Sequence, residues 1–150
     1  MITISLQKIF SAGIDLKYAS SLKHPDDRKY LVLEVTSFMG RFLSLSVPTF
    51  GVVSGPAYAA GCMFGLSHDY VYVKDKAAFI CNEVEIGVPL STGMTEVLRQ
   101  KNFKNTSFRD MTLFAKKFDE KEALKHNIVD GIVNDLGPVI EKAQLVAKYG

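Results

Sequence analysis

The sequence predicts an α/β fold, and three observations carry the prediction. Short runs rich in β-branched and aromatic residues alternate with longer stretches of helical periodicity, and no internal repeat interrupts the alternation. The third is size: 150 residues, 47% hydrophobic and 23% charged, suit a single domain over 1–150 with a sizeable core. A formal charge of +2 and scattered basic residues give no reason to expect nucleic acid or an anionic membrane surface as partner. Lys116-Lys117 and the stretch from Lys101 to Lys104 read as solvated helix faces. Cys62 and Cys81 lack metal-ligand spacing, so free buried thiols in a reducing compartment are expected, with no metal. No secretory signal is recognised, and no apolar run is long enough to span a bilayer.

The elements follow in order. Ile2-Thr3-Ile4-Ser5-Leu6 alternates apolar and polar residues as a half-buried strand does, and its position at the start predicts a sheet edge. Phe10–Leu16 reads as a loop of small residues. His24-Pro25-Asp26-Asp27 opens a helix, with proline in the first turn and acidic residues at the positive end of the dipole. It runs to about Ser44, with Leu31, Val35, Phe38, Phe42 and Leu45 on its apolar face. Pro48 ends that segment and Thr49–Val53 is a buried strand. Small residues then carry the chain into a helix ending near Asp69. Tyr70–Val73 and Ala78–Cys81 read as a strand pair around the Lys74-Asp75-Lys76 turn, and Asn82–Pro89 as a loop. Helices are expected over Thr92–Lys101, Thr106–Ala115 and, capped by Asp119, over Asp119–Leu124. Asn127–Val133 closes as turn and strand, and Pro138–Tyr149 as the last helix.

Two places could carry chemistry. Ser54–Asp69 hands a strand to a helix through Ala57, Ala59, Ala60 and Gly61, and the first N–H groups of a helix are free to hold an oxygen gaining negative charge. A tight packing turn without ligand explains the same residues equally well. In Asn82–Pro89, Glu83 and Glu85 are two apart, so in an extended segment only one can face a pocket. Flanked by Cys81, Val84 and Ile86, such a carboxylate would lose hydration, which suits a base working near neutral pH; a solvated loop carboxylate is the other reading. His24, His68 and His126 form no catalytic or metal pattern and read as structural, His68 near a helix end where its cation is tolerated.

Taken together in order, Phe10-Ser11-Ala12-Gly13-Ile14-Asp15-Leu16, Ser54–Asp69 and Asn82-Glu83-Val84-Glu85-Ile86-Gly87 resemble the crotonase (enoyl-CoA hydratase/isomerase) superfamily. Phe118–Asp130 is similar to that family's helix leading into a strand. The resemblance implies a spiral of β-β-α turns that binds acyl-CoA thioesters without a further cofactor, as a homotrimer or a subunit of a larger complex. It implies an oxyanion hole from the backbone N–H groups of Ile14 and Ala60, with Ala12, Gly13, Asp15, Gly61 and Met63 beside the substrate. Hydratases of the family use two glutamates; one falls on Met63 and the other on Glu83. A single retained glutamate resembles the Δ3,Δ2-enoyl-CoA isomerases of fatty acid β-oxidation, in which one base moves a proton from C2 to C4, and makes hydratase activity the weaker expectation. Relative to the family pattern the chain lacks the usual first turn and the C-terminal trimerisation helices. A catalytically inactive crotonase-fold subunit or scaffold is therefore the competing expectation. The compartment implied is intracellular, mitochondrion or peroxisome.

Overall fold

The β-forming runs are divided between two small sheets. The computed structural model describes residues 1–101 and 105–149; the predicted Lys104 position lies outside them. The chain begins β1 (Ile2–Ile4), α1 (Leu16–Ser21), α2 (Pro25–Leu43), β2 (Phe50–Val53), β3 (Pro56–Tyr58) and α3 (Ala60–Leu66). It continues β4 (Tyr70–Val73), β5 (Ala78–Ile80), a 3-10 turn at Glu83–Ile86, α4 (Thr92–Gln100) and α5 (Asn105–Leu113). It ends β6 (Phe118–Asp119), α6 (Glu120–Lys125), β7 (Gly131–Ile132) and α7 (Gly137–Val146).

One sheet is parallel throughout, in the order β1-β2-β4-β7. The other has the order β3-β5-β6, with β3 parallel and β6 antiparallel to β5. β2-β3-α3 and β4-β5 followed by the 3-10 turn each place one strand in each sheet and then a helix. This is the β-β-α spiral. Tyr70–Val73 and Ala78–Ile80 are therefore not a hairpin, contrary to the sequence reading, because β4 and β5 pair with β2 and β3 in different sheets. β1 does sit at the edge of its sheet, paired only with β2.

Sheet position explains the apolar runs. All four residues of β2 are buried. Phe50 and Val52 pack with Val133 and Val139 on one face, and Val53 joins the main core with Val71, Val73 and Phe79 on the other. A central parallel strand covered on both sides reads as a continuous apolar run, and each such Val or Phe contributes about 1.5–3 kcal/mol on burial. Phe50 and Tyr70, opposite in register, stack at 4.6 Å. In α4, Met94, Val97 and Leu98 face inward as their spacing predicts. In α2 the buried residues are Met39 and Phe42, while Phe38, and Leu45 past the helix end, are exposed, so the inward stripe is narrower than expected.

α1 and β3 were not expected. α1 is six residues long and is held by Asp15, whose carboxylate accepts from the Lys17 and Tyr18 N–H groups. β3 begins at Pro56 and makes the small-residue stretch a second strand before it becomes a helix.

Two ionisable groups depart from the sequence reading. Lys101 is partly buried and donates to the His68 and Asp69 carbonyls instead of lying on a solvated face. His68 is fully buried, with Nδ1 against the Phe64 and Gly65 carbonyls and its ring edge-on to Phe42 and Phe64. Its Nε2 has no partner among the described residues. Burial, reinforced by Lys101 nearby, pushes its pKa down to about 4, so it is held neutral. Between about 6.5 and 4 the unfolded chain binds a proton that the folded one refuses. Stability from this site is complete above pH 6.5 and is lost as pH falls through that window. Denaturation at pH 7.5 and pH 5 should show a loss of about 2 kcal/mol assignable to His68, and His68→Asn should flatten the pH dependence by that amount.

Candidate functional site

The site begins with backbone lying against backbone. The Phe10 N–H donates to the Pro56 carbonyl at 2.9 Å and the Tyr58 N–H to the Ser11 carbonyl at 2.9 Å, so the expected loop pairs with β3 at Ser11 and Ala57. Small residues permit this contact. A Cβ at Gly61 would lie 2.6 Å from the Ser11 side chain. Gly13 has φ +84°, and a Cβ there would lie 3.0 Å from the Tyr58 oxygen and 3.2 Å from the Ala60 nitrogen. The Ala12–Ile14 turn is thus set beside the first N–H of α3.

Ala59 makes the corner between β3 and α3 at φ 50°, ψ −126°. With positive φ and ψ far from the left-handed helical value, this is a sparsely populated conformation that costs an L-residue about 1–3 kcal/mol. It is held in place because the Ala59 N–H donates to the Ile80 carbonyl at 2.8 Å and its carbonyl accepts from the Met63 N–H at 3.2 Å. Among the described residues, neither the Ile14 nor the Ala60 N–H has a hydrogen-bond partner.

The carboxylate comes from the segment after β5. Glu83 opens the 3-10 turn, its carbonyl accepts from the Val88 N–H at 2.9 Å, and Gly87 ends the turn at φ +68°. Glu83 is 6% exposed, whereas Glu85 faces solvent. The expected division between the two holds, but a helical turn makes it rather than strand alternation. Val84 and Ile86 are about half exposed; burial comes instead from the side of Cys81 and Cys62, both free and buried. The Cys81 thiol donates to Glu83 Oε2 at 3.1 Å. Burial first, then the neighbouring Cys62 and Glu83, pushes the Cys81 thiol pKa up, and burial with the Glu83 charge does the same for Cys62. Both therefore remain protonated thiols.

A cavity of about 250 Å³ joins these parts. Ala12, Ile14, Ala60 and Glu83 line it, as do Tyr58, Ala59 and Asn82, and the rest of its wall includes Leu16, Val32, Ile86 and Met94. Four other residues singled out from sequence lie elsewhere. Gly13 supports the turn, Asp15 caps α1, Gly61 packs on Ser11, and Met63 is fully buried in the core. Tyr58 and Leu16 were not recognisable from sequence, because β3 and α1 were not, and Val32 lies on α2 outside the apolar face its spacing predicts. A second apolar groove of about 460 Å³ shares Val88 and Pro89 with the first. A wider one of about 730 Å³ runs past Pro48, His68 and Lys101, but its charged groups are engaged, Asp69 with Thr49 and Lys101 with carbonyls.

A cavity walled by the buried Glu83 carboxylate, the Ala12–Ile14 turn and the corner between β3 and α3 narrows the relationship. The family model described as enoyl-CoA hydratase/isomerase matches residues 1–148. The chain belongs to this family. It is 33% identical over 138 residues to "Enoyl-CoA delta isomerase 3" of Arabidopsis thaliana, covering 90% of this chain and 58% of that protein. To "Enoyl-CoA delta isomerase 1, peroxisomal" of the same plant it is 32% identical over 144 residues, covering 95% and 59%. The crystal structure of an enoyl-CoA hydratase/isomerase family protein from Pseudomonas syringae superposes with a TM-score of 0.88 at 26% identity, over 98% of this chain and 64% of that one. The chain thus spans less than two thirds of the length of these relatives.

The strained corner of this enoyl-CoA hydratase/isomerase fold is testable by melting. Ala59→Gly should raise stability by about 1 kcal/mol, and Gly13→Ala should lower it by about 2 kcal/mol, or roughly 4–8 °C in midpoint.

Proposed function

We propose that the chain carries an enoyl-CoA isomerase site that moves a 3-enoyl-CoA double bond to the 2-position. What carries the reading is Glu83, the one buried carboxylate among the described residues, on an apolar cavity that Ile14 and Ala60 also line. In the proposed reaction Glu83 takes a proton from C2 of the 3-enoyl thioester. The electrons left on C2 form a dienolate whose oxygen accepts hydrogen bonds from the Ile14 and Ala60 N–H groups, where charge develops. Glu83 then returns the proton to C4, leaving the double bond between C2 and C3. Atoms and charge balance without a cofactor.

Met63 favours isomerisation over hydration. The resemblance assigns the second carboxylate of hydratases to this position, and a fully buried thioether can neither activate water nor deliver a proton. The Arabidopsis relatives named as enoyl-CoA delta isomerases support the same choice. Relatives whose names include "peroxisomal" favour that organelle over the mitochondrion. A place in fatty acid β-oxidation follows from the same chemistry. Exposed Tyr30 and Leu33 on α2, with Leu113 at the end of α5 and Phe114 after it, support function within a homotrimer or larger assembly.

Conversion of 3-enoyl-CoA to the conjugated 2-enoyl-CoA, followed by its absorbance, tests the proposal. The parent chain should turn over, and Glu83→Gln should lose about 10²–10⁴-fold in kcat, the usual size of a lost general base. An inactive parent would leave the scaffold role, and an active Glu83→Gln would place the base elsewhere.

A further inference from the structure

We propose that Cys81 is a positioning residue for Glu83: its thiol holds Oε2 and leaves Oε1 to exchange the proton with substrate. The inference rests on Glu83 being the base. The Cys81 S–H donates to Oε2 at 3.1 Å, and both side chains are buried. A carboxylate has two equivalent oxygens, and in a cavity walled by apolar groups nothing else described donates to either of them. The thiol removes that equivalence and fixes the carboxylate's rotation about its last torsion.

The thiol suits this task because it is a weak donor. A hydroxyl in its place would bind the ionised carboxylate more tightly and make it a poorer base, whereas no donor would leave it free to turn. Cys81 can donate only while protonated, and burial together with Cys62 and Glu83 keeps it so. The titratable groups packed around Glu83 are few: Cys81 after β5, Cys62 on α3, and Tyr58 of β3 across the cavity. Glu85, on the same turn, faces solvent.

Two substitutions separate positioning from packing. In the isomerase assay, Cys81→Ala should move the acid limb of the kcat/KM pH profile up by about half a unit, about threefold in rate below the midpoint, while Cys81→Ser should move it down. An acid limb unmoved in both variants, with parent activity intact, would overturn the inference and leave the isomerase reading standing. A readout independent of turnover is the S–H stretching band by infrared spectroscopy. The band lost in Cys81→Ala should lie at lower frequency than that of Cys62 and shift upward in Glu83→Gln. No shift on that substitution would overturn the inference even if the chain proved inactive.

Discussion

The whole site depends on one close contact, that of the Ser11–Ile14 backbone with the junction between β3 and α3. Ser11 and Tyr58 share a hydrogen bond, Gly61 leaves room for Ser11, and Gly13 turns the chain back at φ +84° beside Ala60. Two segments more than 40 residues apart are thereby held at the spacing of neighbouring strands. Side chains larger than these would separate them, and with them the Ile14 and Ala60 N–H groups proposed to serve one oxygen. The small-residue composition of both stretches is a packing requirement before it is a chemical one.

The junction also shows where strain is placed. Ala59 adopts a conformation that glycine would adopt more cheaply, and the rest of the fold holds it there through the Ile80 carbonyl of the second sheet and the first turn of α3. The Ala60 N–H follows directly from that corner. Its direction is therefore set by β5 pairing with β3, the same strand that leads to Glu83. The Ala60 N–H and the Glu83 carboxylate thus both follow from one pair of strands, β3 and β5.

Much of this was legible in the residues, and the failures have physical causes. Long segments with strong periodicity, such as α4, or doubly buried runs, such as β2, declare themselves because burial dictates every position. β3 did not, since three residues starting with proline carry almost no pattern, and it exists because Ser11 and β5 pair on either side of it. α1 depends on a single aspartate cap. The assumed hairpin failed because a turn of three residues is compatible both with a hairpin and with a chain stepping between sheets; only the long-range partners decide. His68 was misread for a related reason. A histidine at a helix end is stabilised as a cation when exposed, but desolvation among Phe42 and Phe64 outweighs that. That only one of Glu83 and Glu85 turns inward was legible in their spacing, but not which one, and a 3-10 turn, not a strand, makes Glu83 the buried one.

The chemistry proposed for the site places opposite demands on the same carboxylate. To take a proton from carbon it needs to be poorly hydrated, and to return the proton two carbons away it needs to stay oriented while its charge comes and goes. Apolar walls meet the first demand but provide no donor for the second. A charged or hydroxyl donor would provide orientation at the expense of basicity. A thiol that burial keeps protonated lies between these extremes, and Met63, buried in the core, supplies no second carboxylate. On this reading the two residues that look least chemical, a cysteine and a methionine, determine which reaction a lone glutamate can perform.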